Sequence, residues 1–403
     1  MNLFKKIYCR VFQTVFYLAL PLLPYRKPTV LEDFGQIAEV LKENKIPRVL
    51  LVTDNFLYSS GATSLLEKTL NSSGIQTVVY TNVCPNPTVK NVEDGVAEYK
   101  NKGCSGLIAF GGGSPMDCAK AIGARIAHPN KTLKQLKGIL KVTKKTPLIF
   151  AIPTTAGTGS EATLASVITD SEQKHKYVIN SFPLIPSYAV LNAQVTVSLP
   201  KSLTATTGLD ALTHAIEAYI GRSTTKETRE NAKRATKLIF ENLLTSYNEP
   251  TNLTARKNML TASYLAGLAF TKSYVGYVHA IAHSLGGQYN VPHGLANSVL
   301  LPIVLKSYGK SAHKKLYELA LFAGVITEKE GYSLEQGAQK FIEKIEFLLK
   351  ETNIPKGFKE IKEEDISLMA THAEREANPL YPVPKLYGKK QLEDFYYKVL
   401  IKD

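Results

Sequence analysis

The chain has 403 residues, 44% of them hydrophobic and 21% charged, enough for two or three domains with a sizeable core; collagen-like, low-complexity and wholly disordered readings fall away. Lys and Arg exceed Asp and Glu by 49 − 35 = 14, which invites an anionic partner: nucleic acid, a membrane surface or a phosphorylated small molecule. With no Trp for base stacking, and with basic residues dispersed instead of gathered into runs, nucleic acid drops out of that set.

At the N-terminus, Lys5, Lys6 and Arg10 precede the apolar run from Val11 to Leu23, an arrangement that imitates a secretory signal. Gln13, Pro21 and Pro24 interrupt the run, it falls short of the ~20 apolar residues of a spanning helix, and no small-residue cleavage site follows. Residues 1–27 are therefore expected to form a short helix packed on the protein body or on a partner subunit. The other reading is a basic, apolar helix lying on an anionic membrane. Cys9, Cys84, Cys104 and Cys118 are too few and too far apart for a disulfide scaffold or a C-x-x-C motif, which favours a reducing, cytoplasmic setting.

From about residue 30, short apolar runs alternate with helix-length polar stretches. Residues 48–53, 76–80, 106–110 and 148–152 are rich in Val, Ile or Phe and bounded by turn formers, so they predict buried parallel strands. Residues 60–72 and 91–102 between them predict crossover helices, the pattern of a doubly wound α/β sheet. After the Leu-Pro-Lys-Ser sequence at 199–202, which predicts a turn and a helix cap, the pattern becomes helical to the end, with Pro292, Pro302 and Pro355 as interruptions. The expected organisation is an apolar basic segment 1–27, an α/β domain 28–199 and an all-helical domain 200–403.

Gly111-Gly112-Gly113-Ser114-Pro115-Met116-Asp117 follows the third strand and leads into a helix expected to start at Ser114 or Pro115. Successive glycines let backbone N–H groups approach a bulky anion, and a helix N-terminus favours one, so the segment predicts a pyrophosphate cradle. It matches neither Gly-x-Gly-x-x-Gly nor a Walker loop. Asp54, at the carboxyl end of the first clear strand, can accept hydrogen bonds from a ribose and repel a 2′-phosphate. Thr154, Thr155 and Thr158 offer hydroxyls after the fourth strand, at the same sheet edge.

In the helical half, Asp210 and His214 are four residues apart and share one helix face. His279 and His293 add two imidazoles, and His283 lies one turn beyond His279. One Asp with three His suits Fe²⁺ or Zn²⁺ and leaves room for a substrate oxygen. The His279-Ala280-Ile281-Ala282-His283 spacing imitates a metalloprotease, but Ala280 stands where that chemistry needs a glutamate base. His128, His175 and His313 read as bystanders.

These motifs, with Val52-Thr53-Asp54, Pro85-Asn86-Pro87-Thr88, Pro153-Thr154-Thr155-Ala156-Gly157-Thr158, Gly208 to His214, His279 to Gly287 and Pro292-His293-Gly294, resemble the iron-containing (group III) alcohol dehydrogenases from Pro28 to the C-terminus. The resemblance implies a dehydroquinate synthase-like fold, with an N-terminal dinucleotide-binding domain and a C-terminal helical metal-binding domain whose cleft is the active site. It implies Asp210, His214, His279 and His293 as metal ligands, with His283 unligated and facing the nicotinamide. Gly111, Gly112, Gly113, Ser114, Asp117, Thr154, Thr155 and Thr158 would hold the cofactor, with Asn86 and Lys176 as further contacts and Asp54 favouring NAD over NADP. A homodimer is also implied. Asn192 stands where many relatives carry Asp, and the segment before Pro28 occurs only in some members.

The expected activity is interconversion of alcohols with aldehydes or ketones. The ion would polarise the alcohol oxygen, hydride would pass to the nicotinamide, and His283 would relay the proton outward. Glycerol dehydrogenase and dehydroquinate synthase-like chemistry are the alternatives within the fold. A membrane-surface binding protein without catalysis is the alternative outside it.

Overall fold

The computed structural model describes residues 1–171 and 175–401, and the side chain of His175 lies outside what is described. The chain forms two compact units: Pro24–Leu199, and Met1–Leu23 together with the chain from Pro200 onward.

The strands of the first unit are β1 (Thr29–Leu31), β2 (Arg48–Val52), β3 (Gln76–Tyr80), β4 (Gly106–Gly111), β5 (Gly138–Ile139), β6 (Leu148–Pro153), β7 (Ala165–Asp170), β8 (His175–Asn180) and β9 (Tyr188–Val190). Among the described residues, six of them make a parallel sheet in the order β1-β9-β6-β4-β2-β3. Leu50, Leu107, Ile149 and their neighbours are fully buried because helices cover both faces, which is why β2, β4 and β6 read as continuous apolar runs. Strand order reverses at β2: the chain passes from β2 out to β3, then back to β4 on the other side. The carboxyl ends of β2 and β4 therefore flank the switch point, where open α/β sheets bind ligands.

A second sheet, β5-β8-β7, pairs β7 with β8 antiparallel and was not anticipated. The helix expected over 60–72 spans Ser64–Ser72, and a separate short helix, Asn55–Ser59, precedes it. Asp54 caps the short one, and Gly61, at φ 76°, stands between them. The helix after the glycines begins at Gly113, slightly before its expected start, because Gly112 is already extended and serves as its cap.

In the second unit, the first long helix runs Lys201–Ile220 with Pro200 at its N-cap, so Ser202 falls within the first turn instead of capping it. It is buried from Gly208 to Ile220 and packs against Lys226–Asn248, Leu253–Ser273 and His293–Tyr308. Its Ala, Gly and Thr content permits that enclosure. Pro302 does not interrupt the helix His293–Tyr308 but sits inside it. An interior proline costs about 3 kcal/mol, and here the buried side chains from Ala296 to Leu305 hold the helix together across it.

The N-terminal helix spans Leu3–Ala19, ends in a short turn at Leu20–Leu22, and packs in the helical unit. Among the described residues no helix is long and apolar enough to cross a membrane.

Candidate active site

In the first unit, the glycine turn continues straight out of β4. Gly111 has φ 148°, and a Cβ there would lie 2.5 Å from Pro115 Cγ. Glycine alone suits that bend. Thr155 Oγ1 is buried and finds no hydrogen-bond partner among the described residues, and it faces Gly112, where a Cβ would approach to 3.4 Å. An unused hydroxyl beside a side-chain-free backbone and a helix N-terminus fits an anionic nucleotide. Thr154 N–H donates to Gly111 O (3.0 Å), and Thr158 Oγ1 accepts from Ser160 N–H (3.2 Å), so the threonine loop is tied to the turn.

Lys176 Nζ donates to Asn86 Oδ1 (2.9 Å), and Asn86 N–H donates to Ser114 Oγ (3.3 Å). These residues, distant in sequence, thus meet at the start of the same helix. Asp117 is turned to the protein: Oδ1 accepts from Ser160 Oγ (3.0 Å) and Oδ2 from Val167 N–H (3.1 Å). Asp54 accepts from Leu57 N–H (2.9 Å) as a helix cap at the carboxyl end of β2. Asn192 accepts from Gln194 N–H (2.9 Å), a cap that an aspartate would make equally well.

Sequence reasoning missed Lys120. It is fully buried, and its ammonium donates to Ser160 Oγ, Thr163 O, Thr163 Oγ1 and Ala165 O, fastening the helix Gly113–Ala127 to the segment after the threonine loop. Burial lowers it to about 8, opposed by Asp117 and Glu161. Glu161, also fully buried, is pushed up to about 7 by burial, and neither of its oxygens finds a hydrogen-bond partner among the described residues.

In the helical unit, one donor atom from each of Asp210, His214, His279 and His293 lies within 4.8 Å of the others. Asp210 Oδ1 is 3.8 Å from His279 Nε2 and 3.4 Å from His293 Nε2, and Oδ2 is 4.0 Å from His214 Nδ1. Bonds of about 2.0–2.2 Å to one cation place neighbouring ligands at about these spacings. Asp210, His214 and His279 are buried, whereas the His293 side chain is 40% exposed, so the group opens on one side only. His279 Nε2 is buried and finds no hydrogen-bond partner among the described residues. A carboxylate with three imidazoles, one of them with an idle buried nitrogen, fits a divalent ion.

Three helices deliver this group. Asp210 and His214 occupy adjacent turns of Lys201–Ile220, and the His214 ring stacks on Phe270 at 4.1 Å. His279 stands in Tyr277–Tyr289 and His293 opens the next helix, with left-handed Asn290 and Pro292 making the turn between them. Gly294 follows, and a Cβ there would come within 2.5 Å of Thr206 O. The absence of a side chain lets the His293 helix lie against the Asp210 helix.

Two supporting residues were also missed. Glu217 Oε2 accepts from His279 Nδ1 (2.6 Å) and Gly276 N–H (2.7 Å), and Oε1 accepts from Val278 N–H (2.8 Å). As an acceptor it fixes the proton on His279 Nδ1, leaving the Nε2 lone pair facing the group. Asn297 Nδ2 donates to Asp210 Oδ1 (2.7 Å). Burial holds Asp210 above the ordinary carboxylate range, opposed by His214, Asn297 and His283. Burial and the neighbouring imidazoles hold His279 well below its usual value, hence neutral, as a ligand must be. Burial pulls His283 down, but the Glu376 carboxylate 2.6 Å from its Nδ1 raises it overall. His283 stands outside the four-residue group, its ring stacked on His293 at 5.1 Å.

Residues 28–193 match the family model described as iron-containing alcohol dehydrogenase, and residues 204–400 match that of the Fe-containing alcohol dehydrogenase family, C-terminal. The 1,3-propanediol dehydrogenase of Klebsiella pneumoniae is 39% identical over 355 residues, 87% of this chain and 90% of that one. The NAD-dependent methanol dehydrogenase of Bacillus methanolicus is 36% identical, covering 84% and 90%. Among solved structures, a 1,3-propanediol oxidoreductase superposes with a TM-score of 0.89 at 35% identity, covering 93% of this chain and 99% of the other. The chain belongs to the iron-containing alcohol dehydrogenase family. It is an oxidoreductase that interconverts alcohols with aldehydes or ketones, and neither the glycerol dehydrogenase and dehydroquinate synthase-like alternatives nor a binding protein without catalysis is favoured.

Proposed function

We propose that the chain is an NAD-dependent dehydrogenase of small alcohols and diols whose divalent ion, Fe²⁺ or Zn²⁺, is held by Asp210, His214, His279 and His293. The convergence of those four donors from three helices carries the reading. When bound, the ion supplies Lewis-acid polarisation of the substrate oxygen and the nicotinamide supplies the hydride acceptor.

The chain's residues do the rest. Asp210 offers one negative charge and three neutral imidazoles add none, which leaves the ion net positive toward an oxygen entering beside His293, the exposed member. Phe270 against His214, and the turn before His293, orient two ligands. His283, hydrogen-bonded to Glu376 through Nδ1, is the residue that would hold the substrate proton and pass it to solvent. In the first unit, Gly111, Gly112, Gly113 and Ser114 would take the pyrophosphate with Thr154, Thr155 and Thr158. Asn86 and Lys176 would add polar contacts, and Asp117 would act by bracing Ser160. Asp54 would accept from the ribose and select NAD over NADP.

The relatives named for 1,3-propanediol, methanol and lactaldehyde support small substrates, and the name of the methanol enzyme supports NAD. All four cysteines are free, which supports a cytoplasmic setting; the family likeness supports a homodimer. The test pairs metal analysis of the purified protein with NAD and NADP reduction across short primary alcohols and diols. His279→Ala is expected to lose bound metal and turnover together. Full activity in metal-stripped protein would refute the assignment.

A further inference from the structure

The N-terminal helix Leu3–Ala19 presents its faces in reverse. Its buried residues are Cys9 and Gln13. Gln13 Nε2 donates to Tyr381 O (2.8 Å) and Pro379 O (3.1 Å), while Arg10 donates to Val383 O (2.7 Å) and Pro384 O (3.0 Å). Lys5 pairs with Glu374 at 2.7 Å. Polar side chains thus fasten the helix to the protein. The opposite face carries Phe4, Tyr8, Val11, Val15 and Leu18, continued by Leu22, every one more than half exposed. Spacings of three and four residues bring them into one stripe at about 100° per residue. A contiguous exposed apolar stripe marks a contact surface.

We propose that this stripe docks the enzyme on an anionic lipid bilayer, with the helix lying in the plane of the interface. The charge of the segment chooses the occupant: no Asp or Glu occurs before Glu32, Lys6 is exposed and unspent, and Arg10 bonds neutral carbonyls and so keeps its charge, while Lys5 is offset by Glu374. A second copy would bring an equally basic helix against it, in a chain whose formal charge is already +14, whereas lipid phosphates complement that charge. Length decides the mode. The helix has 17 residues and no described helix can span a membrane, so it lies on the surface. The hydrogen bonds to residues 379–384 keep it attached to the body, which makes the contact shallow and leaves catalysis intact.

The experiment floats the full-length protein with vesicles of phosphatidylglycerol and phosphatidylcholine, and with vesicles of phosphatidylcholine alone. The wild type is expected to float with the anionic vesicles, less with the neutral ones, and less again as salt is raised. The double variant Phe4→Asp, Val11→Asp alters only exposed positions and is expected to cut the floated fraction by about tenfold or more, with alcohol oxidation in solution unchanged. Lys6→Glu, a milder variant, is expected to weaken anionic flotation alone. The proposal is overturned if the wild type stays with neither vesicle, or if the double variant floats as well as the wild type. It is equally overturned if the wild type, without floating, forms a larger species that the double variant dissociates, since the stripe would then join two copies.

Discussion

Glu217 shows how one side chain governs another, His279, that is proposed to hold the ion. Burial raises it to about 8, opposed by the N–H groups of Gly276 and Val278 and by the contact with His279. Glu217→Ala leaves His279 Nδ1 and two backbone N–H groups without their acceptor and is expected to weaken metal affinity by about 10–100-fold, with Glu217→Gln retaining more; competition with a chelator measures it. The Asp210 and His214 pair was legible because four residues on a helix make one face. Glu217 lies on that helix too, but its partner His279 is 62 residues away and only folding brings them together. Glu161 carries a different consequence. Its folded value of about 7 exceeds the ordinary 4.5, so its contribution to stability is fully present below pH 4.5 and is lost as pH rises through about 7. The loss amounts to about 3 kcal/mol at most. Urea denaturation at pH 5 and pH 8 is expected to show the wild type weakening with pH and Glu161→Gln weakening less.

At the scale of elements, the metal group depends on how closely two helices approach. Gly294→Ala would set a methyl group against Thr206 O, a backbone atom that cannot swing aside. Overpacking of this kind costs about 1–3 kcal/mol, and here the helix that moves carries His293. Bound metal is therefore expected to fall several-fold while most of the protein stays folded, which metal analysis beside circular dichroism would reveal. The buried strands β2, β4 and β6 were legible as apolar runs between turn formers; β3 was legible as a strand but not buried as expected, because it forms the sheet edge and only Tyr80 is buried. β1, β9 and β5 have three, three and two residues, too short for any period to declare itself. The β7–β8 pair depends on a partner strand instead of on its own pattern, and Pro302 misled because packing outweighed local propensity.

For the molecule as a whole, the four proposed ligands come from three helices of one unit, so ion binding there would be linked to that unit's unfolding. Removing the ion is expected to lower thermal stability, and restoring it at about 100 times its dissociation constant to return about 2.7 kcal/mol. Calorimetry before and after chelation checks this, and the denaturation midpoint of His279→Ala should barely respond to added metal. The alternation of strands and helices, followed by helices alone, announced the two folding classes in the sequence. The membership of residues 1–23 did not show, because it rests on carbonyl groups of residues 379–384, and backbone acceptors carry no side-chain signature.

That seat has a consequence for synthesis. Arg10 and Gln13 find the carbonyls that hold them only once residues 379–384 have been made, so the helix stays unfastened while the whole intervening chain is synthesised. Throughout that interval the greasy, cationic helix has no seat on the body, and it is fastened down only when the helical unit closes around residues 379–384.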